Sequence, residues 1–255
     1  MGMICDVSFT HRIALISDLH GNAIALREVL RSIRRHGVDE VICLGDVATL
    51  GVAPCEVIDT LQQLGCRCVL GNHDEYIFHP SLVRDYTDDG VVIDSIEWCR
   101  DVLPADAVEF LRGFEEGFEV PLGRDATLKL FHGSPGSNMV DLLAETDPRT
   151  FDGQLGPERA TVMAGGHTHI QMIRQHRGTL VVNPGSVGAP FKESIYAGPI
   201  TVLPHAEYAV VSADEADVAV TLHRVGLDRS ELEKAARDTA SPIGAMLLEE
   251  YARDV

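Results

Sequence analysis

The sequence has few basic residues for its content of acidic ones. Lysines and arginines total 21, against 39 aspartates and glutamates, which gives a formal net charge of -18. A surface with this balance repels the phosphate backbone of nucleic acids, so we expect no extended nucleic-acid binding. If the substrate is nevertheless an anion, a source of positive charge other than side chains must hold it. Bound divalent cations can supply that charge.

The sequence also lacks CxxC pairs and long apolar runs. The six cysteines do not have the spacing of a disulfide framework, so reduced thiols are the simplest interpretation. The cysteines are Cys5, Cys43, Cys55, Cys66, Cys68 and Cys99. No apolar run is long enough to span a bilayer, and the N-terminus has no long uninterrupted apolar segment. We therefore expect a soluble, cytoplasmic protein without a membrane partner.

Short apolar segments and amphipathic segments alternate along the first 70 residues. Strands are predicted at 12–17, 40–44 and 67–70, and helices at 22–36 and 54–64, each helix being followed by a glycine. This alternation is typical of βα units and predicts an α/β fold. Further strands are predicted at 128–131, 160–164, 171–176, 179–182, 207–212 and 217–223.

Two other regions have a helical character. Residues 79–118 are predicted to form a helical insertion that could cap a functional site. Residues from 228 onward are predicted to form a charged helical tail, which packs onto the rest of the chain through Leu247, Leu248 and Tyr251. Because the chain shows no repeat, low-complexity run or linker, we expect one domain over residues 1–255.

Five of the predicted strands end in polar residues. In an α/β sheet, functional groups gather beyond the carboxyl ends of the strands. The residues at these ends are Asp18 and His20, Asp46, Asn72 and His73, His132, and His167 and His169.

The first of these strand ends has an ordinary alternative explanation. Asp18 or Asn22 could simply cap the following helix. Asp18 and His20 are two residues apart, so in an extended chain they point the same way and can share one cation. Five such strand ends in one chain are hard to explain as caps and turns, and the cap role fits Asn22 better than Asp18.

The mixture of oxygen and imidazole donors suits borderline divalent ions. These are Mn²⁺, Fe²⁺, Co²⁺, Ni²⁺ and Zn²⁺, and they fit better than Ca²⁺ or Mg²⁺. Seven candidate ligands are too many for one tetrahedral ion. Two ions roughly 3.5–4 Å apart, bridged by one carboxylate, account for the number and suit in-line attack on phosphorus.

The order of these motifs resembles that of the calcineurin-like metallophosphoesterases. The matching motifs are Asp18-Leu19-His20, Gly45-Asp46-Val47, Gly71-Asn72-His73-Asp74, His132-Gly133 and Gly166-His167-Thr168-His169. The segment from Asn183 to Gly188 also resembles the one that follows the last motif in small bacterial and archaeal members. The resemblance implies a sandwich of two mixed β-sheets flanked by helices.

The resemblance also implies a role for each residue. Asp18, His20 and His169 would bind one metal ion, Asn72, His132 and His167 the second, and Asp46 would bridge them. His73 would be a catalytic residue that is not a ligand, near the leaving group or a phosphate oxygen, held by an acidic neighbour that is Asp46 or Asp74. Where many small members carry an aromatic residue after the second motif, this chain has Leu50.

These features predict a phosphoester hydrolase that depends on two divalent ions, with Mn²⁺ favoured. We expect in-line attack by a hydroxide that bridges the ions, on small phosphodiesters or nucleotides, because the chain lacks the basic track of a nuclease. The alternative is a protein serine/threonine phosphatase or phosphomonoester phosphatase. A homo-oligomer is compatible with the sequence.

Two rival interpretations come from other protein classes. A non-catalytic scaffold of the same fold has a degraded metal site, whereas every ligand position is filled here. A metallo-β-lactamase-like hydrolase would share the HxH pair, but that pattern continues to Asp-His, and here Ile170 and Gln171 follow.

Overall fold

The computed structural model describes residues 9–123 and 125–253, which form two five-stranded β-sheets with helices on their outer faces. The strands are β1 His11–Ile16, β2 Glu40–Cys43, β3 Arg67–Cys68, β4 Phe118–Pro121, β5 Thr127–Leu130, β6 Val162–Ala164, β7 Met172–His176, β8 Thr179–Asn183, β9 His205–Ala213 and β10 Val218–Gly226. The helices are α1 Ala23–Arg34, α2 Pro54–Leu64, α3 Asn72–Phe78, α4 Val83–Tyr86, α5 Gly90–Val102, α6 Ala105–Arg112, α7 Pro148–Leu155, α8 Arg229–Asp238 and α9 Gly244–Ala252.

Both sheets are mixed. The first has the order β10-β9-β1-β2-β3, with β1, β2 and β3 parallel and β9 antiparallel to β1. The second has the order β4-β5-β6-β8-β7, with β5, β6 and β8 parallel and the outer strands antiparallel. The expected sandwich of two mixed sheets flanked by helices is therefore confirmed.

The two sheets bury a shared apolar core. Strand β1 shows how the sequence builds it, because successive side chains of a strand point to opposite faces. Ile13 and Leu15 belong to the core between the sheets, which also contains Leu128 and Val162 of the second sheet. Strands that are buried on both faces have nearly continuous apolar sequences, which is why this strand could be predicted from the sequence.

Helices cover the outer face of each sheet. Ala14 and Ile16 of β1 pack in a second core with residues of α1, α2, α5 and α6. On the other side, Phe151 and Leu155 of α7 pack against Met163 and Val181 of the second sheet. The parallel strands are thus held from both faces, and their carboxyl ends are fixed relative to one another.

The strand predicted at 67–70 is shorter in the structure. Only Arg67 and Cys68 pair with β2, whereas Val69 makes an isolated parallel bridge to Glu115, and the amide of Leu70 donates to the Glu115 carbonyl. Val69 still donates its amide to the Cys43 carbonyl of β2, and the chain that follows α6 forms hydrogen bonds with Cys68 and Leu70. Helix α7 has no counterpart among the predicted elements.

The segment 79–118 contains a short 3-10 turn and helices α4, α5 and α6. Cys99 and Leu111 of this segment belong to the core beneath the first sheet. Tyr86 and Val92 instead line a cavity described below. The segment therefore contributes both to the core and to the surroundings of the strand ends.

The helical tail consists of two helices rather than one. Helices α8 and α9 pack against each other, and the residues between them include Pro242, which cannot donate a backbone hydrogen bond. Tyr251 is buried in a small apolar cluster, with Leu247 and Leu248 packed against it. The predicted docking residues of the tail are confirmed.

The cysteines that the structure describes are all free thiols, and Cys5 lies outside the described residues. Within residues 9–123 and 125–253, none of the helices combines the length and the apolar character needed to cross a bilayer.

Two leucines of α2 provide a matched test of the core. Leu61 is fully buried, whereas Leu64, three residues further on, is 43% exposed. We expect Leu61→Ala to lower the free energy of unfolding by about 3 kcal/mol through lost burial and a residual cavity. Leu64→Ala should change it by less than about 0.5 kcal/mol. Urea denaturation measures both, and equal losses would contradict the described packing.

Candidate metal centre

The carboxyl ends of five strands meet at one edge of the sandwich. Asp18 and His20 follow β1, Asp46 follows β2, Asn72 and His73 follow β3, His132 follows β5, and His167 and His169 follow β6. The structure brings all seven residues predicted as ligands together there, with His73 beside them. Both sheets contribute, because β1, β2 and β3 belong to the first sheet and β5 and β6 to the second.

Asp18, His20 and His169 form one group of potential ligand atoms. These atoms lie within 4.8 Å of one another. The Nε2 atoms of His20 and His169 are 3.1 Å apart, and the Nε2 atom of His169 is 3.4 Å from Oδ1 of Asp18. Two donors that bind one ion at about 2.1 Å lie about this far apart.

Asp46, His132 and His167 form the second group. Their ligand atoms also lie within 4.8 Å of one another. The Oδ1 atom of Asn72 joins this group at 3.1 Å from the Nε2 atom of His132. The amide nitrogen of Asn72 donates to the hydroxyl of Tyr76, which fixes the amide with its oxygen toward the group. The two groups thus contain the residues of the two predicted ligand sets, with Asp46, the predicted bridge, in the second group.

The Oδ2 atom of Asp46 lies between the two groups. It is 3.3 Å from Nε2 of His132 in the second group and 3.9 Å from Nε2 of His20 in the first. The other oxygen, Oδ1, accepts the backbone amide of His73. One oxygen is therefore held by the backbone, while the other faces both groups.

Backbone carbonyls fix the orientation of three imidazoles. The Nδ1 atom of His20 contacts the carbonyl of Thr49 at 3.1 Å, that of His132 the carbonyl of Leu44 at 2.6 Å, and that of His169 the carbonyl of Ala189 at 2.7 Å. A carbonyl oxygen only accepts, so each Nδ1 atom carries a proton and donates it. In the neutral imidazole, the Nε2 lone pair then points into the cluster, as a metal ligand requires.

The contact between His20 and His169 indicates that a cation fits between them. Burial, with the nearby His169 and His73, holds the pKa of His20 well below its usual range, so its ring is neutral. With both Nδ1 protons committed to carbonyls, two Nε2 atoms face each other at 3.1 Å. A cation between them, either a proton or a metal ion, would satisfy both nitrogen atoms. The donor set therefore fits a divalent metal ion of the borderline class.

Asp46 and His132 form a buried pair of opposite charge in the second group. Although burial opposes ionisation, His132 holds the pKa of Asp46 well below its usual range. Burial likewise opposes the charge on His132, but Asp46 raises the pKa of its imidazole to about 10. A proton on His132 thus occupies the position that a metal ion would take, and metal binding must release it.

Strained backbone surrounds the candidate ligands. Asp18, His20, Asp46, His167 and His169 all have φ between 44° and 70°, a region that non-glycine residues rarely adopt. Gly71 has no room for a side chain, because a Cβ atom there would collide with the Asp46 carboxylate. Such conformations persist only where the surrounding structure enforces them, and they cluster at functional sites.

The segment after β8 holds the first motif in place. The Ser186 hydroxyl and the Gly188 amide both donate to the carbonyl of Asp18, at 2.7 and 3.0 Å. Within the first motif, the side chain of Asn22 accepts the amide of Ala25 and caps α1. The cap role predicted for Asn22 is confirmed, which leaves Asp18 free for the cluster.

The sequence did not identify the residue that holds the ring of His73. Its Nδ1 atom lies 2.9 Å from the hydroxyl of Thr49, and Tyr86 contacts the ring edge-on. Asp74 does not hold this ring, because its carboxylate accepts the backbone amides of Asp46, Val47 and Gly71. The other predicted acidic neighbour, Asp46, binds the backbone amide of His73 instead. Burial lowers the pKa of His73 to about 4.

Asp141 is a second residue that the sequence analysis missed. It belongs to the loop between β5 and α7 and to no motif, so no sequence signal marked it. Its Oδ1 atom lies 3.3 Å from Nε2 of His167, and Tyr196 donates its hydroxyl proton to Oδ2. Asp141 thus links the cluster to the segment around Tyr196.

A cavity of about 630 Å³ opens directly onto the cluster. His20, Asp46, His73 and His169 line its inner end, and Leu50, the residue that departs from the family pattern, also lines it. A molecule in this cavity can therefore reach both groups of ligand atoms.

Comparison with known proteins identifies the family. A family model with the description "Calcineurin-like phosphoesterase superfamily domain" matches residues 12–203, which include every candidate ligand. An uncharacterized protein of Methanocaldococcus jannaschii is 27% identical over 198 residues, covering 70% of this chain and 76% of that protein.

Two solved structures share the fold. A metallophosphoesterase from Sphaerobacter thermophilus matches with a TM-score of 0.69 and 24% identity, covering 94% of this chain and 100% of the other. A hypothetical protein from Pyrococcus horikoshii matches with a TM-score of 0.76 and 17% identity, covering 93% of this chain and 98% of the other. With the family match spanning three quarters of the sequence, the chain belongs to the calcineurin-like phosphoesterase superfamily.

Proposed function

We propose that this protein hydrolyses small phosphodiesters or nucleotides with the help of two divalent metal ions, Mn²⁺ first among them. The observation that carries the proposal is the position of Asp46 Oδ2, which faces His132 at 3.3 Å and His20 at 3.9 Å. One carboxylate oxygen between two groups of buried donors is the arrangement that a bridging ligand needs.

Each candidate ligand has a role in this proposal. Asp18, His20 and His169 would hold one ion, Asn72, His132 and His167 would hold the second, and Asp46 would be a ligand of both. When bound, the ions supply the Lewis acidity that activates water for in-line attack and neutralises the phosphate oxygens. Asp18 and Asp46 would contribute two negative charges against the four positive charges of two divalent ions, so the loaded centre would attract an anion despite the net charge of -18.

His73 is positioned to assist the reaction without binding metal. Because burial lowers its pKa to about 4, its ring is neutral near pH 7 and acts as an N–H donor rather than as a cation. The Thr49 hydroxyl orients the ring. A negatively charged phosphate bound next to His73 would favour the protonated imidazole, so His73 can also donate a proton to the leaving oxygen.

The acidic surface supports a small substrate. A nuclease needs a basic track along its strand, and a chain with 21 basic against 39 acidic residues is poorly suited to supply one. The complete set of donors disfavours a scaffold that has lost its metal site.

Metal removal is the direct test of the proposed activity. After treatment with EDTA we expect hydrolysis of bis(4-nitrophenyl) phosphate to fall to background and to return best with Mn²⁺, because the donor set mixes nitrogen and oxygen. The assay should include phosphomonoesters and cyclic and linear phosphodiesters with each metal ion. Full activity in metal-free protein would refute the proposal, and a preference for monoesters would support the phosphatase alternative.

Asp46→Ala and His73→Ala separate the bridging role from the auxiliary one. We expect Asp46→Ala to lower kcat more than His73→Ala does, by roughly tenfold or more, because it removes a ligand of both ions. The metal content of the purified variants provides the control. His73→Ala should retain its metal, whereas Asp46→Ala should lose it, and equal mild losses of activity would contradict the bridging role.

A further inference from the structure

The cavity beside the metal centre has two chemically different ends. Its inner end carries the candidate ligands, whereas its outer part is lined mainly by apolar side chains from the segment 189–202 and from α9. The apolar residues on which the inference depends are Phe191, Ile195, Ile200, Val202, Met246 and Leu247. At about 630 Å³, the cavity is larger than a phosphate group needs and lies within the range of small-molecule sites.

Aromatic rings flank the passage between the two ends. Phe191 stacks on the ring of His169 with centroids 4.2 Å apart and an interplanar angle of 22°. Tyr86 approaches His73 edge-on, with centroids 5.6 Å apart. A flat group attached to a phosphate at the metal centre would therefore lie beside aromatic surfaces.

The charged groups of the cavity disfavour a second anion. Arg253 is the one lysine or arginine among the described lining residues, and its Nη1 atom lies 2.8 Å from Oε1 of Glu250. Asp141 also lines the cavity, with Tyr196 and His167 as its partners. Beyond the metal centre the wall is therefore mainly apolar, its hydroxyl groups are uncharged, and its cation is already paired.

We propose that this cavity binds the ester group of the substrate, and that this group is uncharged and aromatic. The inference rests on the proposed phosphoesterase function and narrows its substrate class. It favours aryl or nucleoside esters of a single phosphate over short alkyl esters, because an aromatic ring buries apolar surface that a methyl group lacks. It also disfavours polyphosphates, whose second phosphate would meet Asp141 and would find Arg253 already paired with Glu250.

Binding of phosphonates, whose C–P bond is not hydrolysed, tests the proposal without turnover. Calorimetry on the Mn²⁺-loaded protein would compare methylphosphonate, benzylphosphonate and 4-carboxybenzylphosphonate. We expect benzylphosphonate to bind about tenfold more tightly than methylphosphonate, and the added carboxylate to remove most of that gain. Equal binding of the three ligands, or no binding of any, would overturn the proposal.

A pair of double variants shows whether this cavity is responsible. Ile200→Thr with Met246→Gln makes two lining residues polar, and both residues are already partly exposed, at 40% and 39%. Leu64→Gln with Val102→Thr changes residues of the same exposure, 43% and 39%, outside the cavity. We expect the first pair to abolish the preference for the benzyl group, with methylphosphonate binding unchanged, and the second pair to preserve it. If both double variants lose the preference for the benzyl group, or if neither loses it, the assignment is overturned.

The same samples separate this inference from the proposed function. If the protein hydrolyses phosphodiesters but shows no preference for the benzyl group, the inference fails and the proposed function stands. If it binds benzylphosphonate selectively and hydrolyses no phosphoester, the proposed function fails while the assignment of an aromatic group to the cavity holds.

Discussion

The position of the Asp46 carboxylate between two groups of buried donors is the constraint on which the rest of the site depends. Three imidazoles are turned toward the cluster by carbonyls that accept their Nδ1 protons, so their Nε2 atoms converge beside the buried carboxylates of Asp18 and Asp46. Taking such groups out of water is costly unless a charge of the opposite sign compensates. Under the proposed function, bound metal ions would supply that compensation, and they would let a strongly acidic chain attract a phosphate.

The fold meets this constraint by joining two sheets at one edge. Asp18 and Asp46 follow neighbouring parallel strands of the first sheet, whereas His132 and His167 follow neighbouring parallel strands of the second. The backbone amide of His167 donates to Asp18 across the junction of the sheets. Because no single segment contains a complete group, the site forms only when both sheets are in place, so the proposed metal binding would be coupled to folding.

The sequence predicted the parts of the molecule that depend on local signals. Apolar strands that end in Asp, His or Asn were recognisable because both faces of these strands are buried and their ends carry the motifs. The match of those motifs to a known family gave the two-sheet architecture. The predicted end of β3 was wrong because the chain turns to a distant partner there: Leu70 donates its amide to the carbonyl of Glu115, nearly fifty residues later.

Long-range contacts of the site were beyond sequence reasoning for a similar reason. Thr49 and Asp141 carry no motif, and their roles depend on loops that meet His73 and His167 only in the folded chain. The aromatic and apolar end of the cavity combines the segment 189–202 with α9, two regions that the sequence showed only as a loop and a helical tail. Residue types identify the reaction chemistry, whereas tertiary packing determines which substrate can reach it.

The central claim is that one carboxylate joins two metal sites, and electron paramagnetic resonance of the Mn²⁺-loaded protein tests it most directly. Metal analysis of the same sample gives the number of ions per chain. The account predicts two Mn²⁺ ions per chain, close enough for their spins to be coupled, so that the spectrum is that of an exchange-coupled pair. A single ion per chain, or two ions with the independent six-line spectra of isolated Mn²⁺, would contradict it.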